Sequence, residues 1–283
     1  MNLVRNMVVS LLVIGLAVST ASAKEYLRVL YVFDDLTTNY NQSQINSIST
    51  TLNYRLNKTF QNSGLSNKFY FKKIKAINIS ISGNNESLGD IAYRYRRYKN
   101  SNMTLRHLQR LYKADIVVTY MNPRKTSYCG MAVDIPNSRS EFSSSDFSYV
   151  FLSNESRCNS NRLIAHEVGH IFGIHHGQYG GDYVNGIPNG YGVNVNWSLD
   201  YGTIMSKASI SANRFSNPNV YKYGVFDKTN VCGNSRSNAY QFIKNNAKYY
   251  NKRGGWFFTL VKKIYRELDK NLTLFLCIFL YII

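Results

Sequence analysis

The sequence predicts an α/β fold of the α+β kind, with a mixed twisted sheet, a histidine-bearing helix and a small irregular C-terminal subdomain. Three observations support this prediction. Apolar segments typical of strands alternate with helical patterns in the first half of the chain. A helix with a histidine-rich motif follows the last of these strands, and residues 177–200 are rich in glycine and asparagine. The expected order is strand, helix, strand, helix, three strands and the motif helix.

The N-terminal elements follow from residue periodicity. Residues 28–33 and 70–81 have the apolar composition of strands, the second with partial alternation. Between them, apolar residues recur at intervals of three and four, which indicates one helix face: Ile45, Ile48, Leu52, Leu56 and Phe60. Gly64 stands where a C-terminal cap belongs, because glycine readily adopts the left-handed conformation that ends helices.

The remaining elements are predicted in the same way. A helical region over 88–112, interrupted around 100–102, leads into three strands, at 114–120, 129–135 and 147–153. The motif helix should begin near Ser160, with a buried stripe formed by Ile164, Val168 and Ile171. A final helix is expected over 237–250. Residues 177–200 are interpreted as a long loop, either lining a functional cleft or lying at the surface.

The motif HEVGHIFGIHH, residues 166–176, has the spacing of a zinc site. His166 and His170 are four residues apart, so on a helix both rings project from one face toward a single metal ion. Gly173 can turn the backbone sharply, which would bring His176 back as the third ligand. A catalytic zinc ion keeps a fourth position for water and lowers its pKa. Glu167 is the predicted general base toward that water, with one Zn²⁺ as the cofactor.

Two other histidines lie outside the three ligand positions of the motif. His175 adjoins His176, so spacing alone leaves it open as an alternative ligand, and a solvent-facing position is the preferred interpretation. His107 has no ligand spacing and is predicted to lie on a helix surface.

The motif resembles the signature HExxHxxGxxH of the metzincin zinc endopeptidases. The segment YGTIMS is similar to the family's Met-turn, which implies that Met205 lies beneath the metal ligands. Residues 214–225, RFSNPNVYKYGV, are similar to a stretch of the bacterial reprolysin-like metzincins. The resemblance covers about residues 27–250, strongly around the motif and weakly elsewhere.

The chain departs from the family at two positions. Gly177 stands where reprolysins usually have an aspartate, which leaves the subfamily open. Lys207 stands where some metzincins have a tyrosine that reaches the metal, so no tyrosine ligand is expected.

The resemblance also implies a cleft between an upper subdomain, residues 24–176, and a lower subdomain, residues 177–251. Substrate would lie in this cleft and add itself as an extended strand to a sheet edge. The implied edge strand contains Gly130, Met131, Ala132 and Val133, and an ordinary core strand is the alternative.

The N-terminus and the cysteines favour an exported protein. Residues 1–23 combine Arg5, an apolar run and the ending Ala21-Ser22-Ala23, which predicts a signal peptide cleaved before Lys24. Export permits disulfides. Cys129 with Cys158 is the favoured pair and Cys158 with Cys232 the competing one, whereas Cys277 lies in the apolar tail.

The formal net charge of +18 favours anionic partners such as a membrane surface or a polysaccharide. The densest basic cluster, YRYRRYK at 93–99, alternates with aromatic residues, and a solvated helix face is preferred over a surface that stacks on bases or sugars. Nucleic acid is not an expected partner, because no binding motif accompanies the charge.

The C-terminal tail, residues 252–283, ends in an apolar run that is short for a membrane span. It is interpreted as a partly inserted anchor, a segment that docks on a partner, or a processed end, and the first is preferred.

The leading hypothesis is an exported zinc metalloendopeptidase acting on proteins or peptides. One alternative is a zinc-bearing, membrane-associated adhesion or toxin-delivery protein without peptidase turnover. The intact Glu167 argues against it. The other alternative is a peptidase of cell-wall peptides.

Overall fold

The computed structural model describes residues 25–81, 86–97, 103–123, 128–133, 148–158, 162–176, 194–196, 201–205, 210–211, 213–221, 231–232 and 238–250. Several predictions concern residues outside these ranges: the signal peptide 1–23, the tail 252–283 with Cys277, Gly177 and Lys207. Among the helices within the described ranges, none combines the length and apolarity needed to cross a bilayer.

A five-stranded mixed sheet forms the upper part of the protein, as predicted. Its strands are β1 (Glu25–Asp34), β2 (Phe69–Ile79), β3 (Ile116–Met121), β4 (Gly130–Val133) and β5 (Tyr149–Ser153). They lie in the order β2-β1-β3-β5-β4. Neighbours are parallel except β4, which pairs antiparallel with β5. Among the described strands β4 lies at an edge of the sheet.

Helix α1 (Gln42–Asn62) connects β1 to β2, and both of its ends are capped. Asn41 and Gln44 form a reciprocal capping box at the start, which satisfies backbone N–H groups that have no partner within the helix. At the other end Gly64 has φ +78°, and the N–H of Leu65 donates to the carbonyl of Phe60 at 2.8 Å. The predicted glycine cap is confirmed.

Helices cover both faces of the sheet, which explains why β5 is buried throughout and β3 at every residue except Tyr120. α1 and the motif helix α4 (Leu163–Ile171) pack on one face. Helices α2 (Leu88–Arg97) and α3 (Met103–Leu111) pack on the other. On α2, Tyr95 is buried against β5, so the expectation of a solvated helix face over 93–99 is wrong at this residue. Its neighbour Arg94 pairs with Glu86 at 2.6 Å.

After the motif helix, the residues that the structure describes form two small sheets and one helix. Strands β6 (Asn194–Asn196), β7 (Tyr201–Gly202) and β8 (Ile210–Ser211) make the first sheet. Strands β9 (Asn217–Tyr221) and β10 (Val231–Cys232) make the second, and α5 (Ala239–Tyr250) follows. The prediction of a long loop over 177–200 is thus wrong at β6, a strand of only three residues that pairs with β7.

The lower segment is tied to α1 and α4 by buried polar contacts. The Thr59 hydroxyl donates to the Asn213 side chain at 2.5 Å, and the Phe215 N–H donates to the Ser63 hydroxyl at 2.9 Å. The Tyr250 hydroxyl donates to the Phe172 carbonyl at 2.5 Å, just after α4. Aromatic rings pack around these contacts: Phe60, Phe69, Phe71, Phe172 and Phe215. Residues of the upper sheet and of the lower segment thus belong to one hydrophobic core. Burying each of these rings contributes on the order of 2–3 kcal/mol to its stability.

Candidate metal centre

Helix α4 presents the motif because its apolar stripe is buried. Ile164, Val168 and Ile171 pack into the core, as predicted, although the helix begins at Leu163 and not near Ser160. The helix ends at a glycine turn in which Gly173 has φ +77° and its N–H donates to the His170 carbonyl at 2.8 Å. This left-handed turn reverses the chain after Phe172 and returns His176 to the helix face.

The turn brings three predicted ligands together. The Nε2 atom of His176 lies 3.0 Å from that of His166 and 3.1 Å from that of His170. One ring nitrogen from each histidine lies within 4.8 Å of the others. Three imidazoles therefore converge on a single point.

Backbone carbonyls set which nitrogen of two rings carries the proton. His166 Nδ1 lies 2.7 Å from the Ile204 carbonyl, and His170 Nδ1 lies 2.7 Å from the Ile174 carbonyl. A carbonyl can only accept, so each Nδ1 is the protonated nitrogen and each Nε2 presents its lone pair to the cluster. Partners of this kind orient histidines that ligate metals.

Burial keeps the imidazoles of His166 and His170 neutral. It lowers the pKa of His166 to about 4, against the opposing effect of the Ile204 carbonyl. Burial and the neighbouring imidazoles hold the pKa of His170 well below its usual value. Neutral imidazole is the form that binds a metal.

This donor set fits zinc. A tetrahedral zinc ion with Zn–N bonds of about 2.0–2.1 Å separates its ligand nitrogens by roughly 3.3 Å, close to the separations within the cluster. Three protein nitrogens leave a fourth position, which is the pattern of catalytic rather than structural zinc sites.

Glu167 lies on the same helix with its side chain buried. It is 5% exposed, and burial raises the pKa of its carboxyl to about 8, while a hydrogen bond from the Ala132 N–H opposes this rise. Without a neighbouring cation the group would be largely protonated at pH 7. A divalent cation beside it favours the ionised form, because opposite charge lowers the pKa of a carboxylic acid.

Met205 packs directly against the motif helix. It is fully buried, and a Cβ atom placed on Gly169 would lie 2.7 Å from its sulfur and 2.9 Å from Cε1 of Phe215. The segment before it also supplies the Ile204 carbonyl that contacts His166. The same short segment thus supports the helix from below and orients a candidate ligand.

The two other histidines, His175 and His107, lie outside the three-histidine cluster. His175 is only 7% exposed, so the expectation that it faces solvent is wrong, and it is not part of the three-histidine cluster. Its burial follows from the turn at Gly173, which carries the whole segment into the core beside Ile174. His107 is exposed on α3, as predicted.

The favoured disulfide is present and bounds the site on one side. Cys129 is bonded to Cys158, which joins the start of β4 to the segment before α4 and excludes the competing pair of Cys158 with Cys232. The residue after Cys129 is Gly130, whose position directly faces the Glu167 side chain.

Sequence reasoning missed the groups that surround the motif. The carbonyls of Ile174 and Ile204 and the N–H of Ala132 are backbone atoms, which no residue type reveals. Gly130 was assigned only to the edge strand, and its contact with the motif helix has no local signature.

The five-stranded mixed sheet with its helices, and the three-histidine cluster on and after α4, are those of a metzincin-like peptidase fold, as the sequence predicted. Residues 42–177, just under half of the chain, match the family described as metallo-peptidase family M12B, reprolysin-like. The predicted similarity to the reprolysin-like metzincin metallopeptidases is therefore confirmed.

Solved structures extend the likeness of fold beyond the matched residues. A chain in the structure of a chaperone-substrate complex superimposes with a TM-score of 0.60 at 21% identity, over 81% of this chain and 35% of that one. This protein thus spans about a third of that relative's length, and the likeness concerns the fold alone. A weaker similarity, with a TM-score of 0.32 and 14% identity, is to metalloproteinase-II from Bacteroides fragilis, over 55% of this chain and 44% of that one. No curated protein matches the sequence.

Proposed function

We propose that the protein is an exported zinc-dependent metalloendopeptidase. The observation that carries this proposal is the convergence of three imidazoles near a buried glutamate: helix α4 provides Glu167, His166 and His170, and burial holds these two histidines neutral, while His176 joins them from the turn that follows. Imidazoles alone would serve a structural site as well. Three protein ligands would leave a fourth position on the metal for a water molecule. A carboxyl group beside that position favours hydrolysis, because its ionised form can accept a proton from the water.

In this proposal His166, His170 and His176 hold one Zn²⁺. When bound, the ion would act as a Lewis acid that polarises the scissile carbonyl and lowers the pKa of a water molecule. The ring orientations required for binding are supported by the carbonyls of Ile174 and Ile204. Met205 would act as the Met-turn residue, since its packing against Gly169 supports the helix that carries the ligands.

Glu167 would move the protons of the reaction. Its carboxylate would accept a proton from the attacking water and then donate that proton to the departing amine. Burial raises the pKa of this carboxyl group and a bound cation would lower it, so these opposing effects would keep both of its forms accessible near neutral pH. Burial also keeps bulk water from competing for the same proton.

Strand β4 would bind the substrate backbone. Ser153 N–H donates to the Cys129 carbonyl at 2.8 Å, which makes Gly130 and Leu152 a non-hydrogen-bonded pair in the antiparallel ladder. The backbone groups of Gly130 and Ala132 therefore point away from β5, toward the open edge. An extended peptide could pair with the Gly130 backbone groups and the Ala132 carbonyl, and most peptide bonds offer the same main-chain partners.

Export and surface binding are further parts of the proposal. A disulfide between Cys129 and Cys158 favours an oxidising compartment, in agreement with a signal peptide at 1–23. Mass spectrometry of the exported product should then find Lys24 at the N-terminus, and an uncleaved start would refute the cleavage. The net charge of +18 favours contact with an anionic membrane or polysaccharide, and salt-sensitive cosedimentation with anionic vesicles tests the membrane case.

The decisive experiment compares Glu167→Gln with the control Glu86→Gln. Both remove one carboxylate, but Glu86 lies by α2 and pairs with Arg94, away from the histidine cluster. We expect purified wild type and the control to cleave unfolded casein and to lose activity on chelation. Glu167→Gln should bind one zinc ion per chain and lose at least about 100-fold in kcat, since general base catalysis contributes about 10²–10⁴. A Glu167→Gln variant that cleaves at the wild-type rate would refute the proposed mechanism.

A further inference from the structure

The carboxyl end of the Glu167 side chain meets strand β4, and this contact is the basis of an inference that rests on the proposed function. The Ala132 N–H donates a hydrogen bond to the carboxylate. Two residues earlier, Gly130 leaves the space in which the carboxyl group lies. Both contacts join the sheet edge to the helix, between residues more than thirty positions apart in sequence.

The alternation of side chains and backbone groups along β4 explains both contacts. Side chains alternate between the two faces of a strand, and Ala132 packs with the core that contains α4, whereas Met131 packs with the opposite core. Gly130 shares the face of Ala132, so a side chain at position 130 would project toward α4. The Ala132 N–H belongs to the outward set, because Ala132 and Val150 are again a non-hydrogen-bonded pair.

A side chain at position 130 does not fit beside Glu167. A Cβ atom there would lie 2.6 Å from Oε1, 2.7 Å from Cγ and 2.8 Å from Cδ of Glu167. Separations this short force one partner to move. The glutamate must move, because Cys129, the residue before Gly130, is anchored by its disulfide and by its hydrogen bond from Ser153.

We propose that strand β4 positions the general base: Gly130 provides the space for the Glu167 carboxyl group, and the Ala132 N–H sets its orientation. Gly130 is thus a positioning residue that acts through Glu167. The Cys129–Cys158 disulfide contributes to this positioning, because it holds the start of β4 near the start of α4. The edge strand then has a role besides pairing with substrate, and one of its outward N–H groups is already engaged by Glu167.

The test compares Gly130→Ala with Gly89→Ala. Gly89 lies in α2, where an added Cβ would meet Ser87 at 3.7 Å and Met131 at 3.9 Å, which is ordinary contact. We expect Gly130→Ala to lower kcat for a fluorogenic peptide about 100-fold, because a displacement of about 1 Å in a catalytic group costs this much. KM should change less than about threefold, and zinc content should stay at one per chain. Gly89→Ala should match the wild type in kcat, KM and zinc content.

A second variant separates displacement of Glu167 from general damage. Glu167→Asp shortens the side chain and removes a methylene from the region that an added Cβ at position 130 would enter. If position 130 acts through Glu167, then Gly130→Ala combined with Glu167→Asp will lose far less than the product of the two single losses. Multiplicative losses, or a Gly130→Ala variant as active as Gly89→Ala, would overturn the proposal.

A measurement without turnover keeps the test independent of the proposed function. The Ala132 amide is predicted to be protected from hydrogen exchange by its bond to Glu167, and to exchange at least about tenfold faster in Gly130→Ala and in Glu167→Ala. Unchanged protection in both variants would exclude the contact. If the wild type cleaves no peptide yet these exchange rates change as expected, the proposed function fails while the positioning contact stands.

Discussion

Removal of the Cys129–Cys158 disulfide should lower the free energy of unfolding by about 3–4 kcal/mol. The perturbation is the double variant Cys129→Ala with Cys158→Ala. Alanine is preferred to serine because Cys158 is 2% exposed, and a buried hydroxyl would add a cost of its own.

The magnitude follows from the length of the closed loop. The two cysteines are 29 residues apart. In the chain-entropy description, a loop of this length removes about 12 cal/mol/K from the unfolded chain, or about 3.6 kcal/mol at 25 °C. This loss is large compared with the roughly 5–15 kcal/mol by which single domains are usually stable. The native state should still form, because β4 stays paired with β5 through backbone hydrogen bonds.

The assay is equilibrium unfolding in urea, followed by tryptophan fluorescence and circular dichroism. Wild type and double variant are compared in oxidising buffer and again after complete reduction. The difference between them should shrink to roughly 1 kcal/mol or less after reduction, because the reduced wild type has no cross-link and only the packing of the sulfur atoms still distinguishes the two proteins. A loss under about 1 kcal/mol in oxidising buffer, or a difference that reduction does not diminish, would refute the loop-entropy reasoning.

Two further predictions concern the core. Gly169→Ala should destabilise the protein by about 1–2 kcal/mol in urea melts, since overpacking against Met205 and Phe215 costs about 1–3 kcal/mol and outweighs a gain of up to about 1 kcal/mol in helix propensity. A variant more stable than wild type would contradict this steric account. Asp115 is buried, and burial raises the pKa of its carboxyl from 3.8 to about 6, so the folded state holds its proton more tightly than the unfolded chain. Its contribution to stability therefore falls as pH rises from about 4 to about 6, and Asp115→Asn should gain about 2 kcal/mol relative to wild type between about pH 4.5 and about pH 7.5. A pH-independent difference between the two proteins would rule out this titration.

Local patterns predicted the upper part of the fold well. The spacing of Leu52, Leu56 and Phe60 places α1, and the apolar runs place β3 and β5, because helix and strand periods act over neighbouring residues. The same patterns failed where a strand is very short or where the chain reverses sharply. β6 consists of only three residues inside a segment rich in glycine and asparagine, and His175 is buried by the turn at Gly173.

In the candidate site, too, some groups could be predicted from local patterns and others could not. His166 and His170 could be predicted because a helix brings positions four apart to one face, and His176 because a glycine turn returns the chain. The disulfide was favoured but not decided, since spacing alone leaves Cys232 as a competitor for Cys158. The Ile204 carbonyl and the Ala132 N–H could not be predicted, because every residue carries a carbonyl and nearly every residue an N–H.

By itself, the sequence determined the set of candidate ligands and the acid beside them, because their spacing acts through the geometry of one helix and one turn. Only the tertiary structure decided the surroundings of that acid. The burial of Glu167, the hydrogen bond from Ala132 and the space left by Gly130 all depend on a strand that packs beside the helix from more than thirty residues upstream. Contacts between distant segments arise from the packing of the whole core, and no local pattern specifies them.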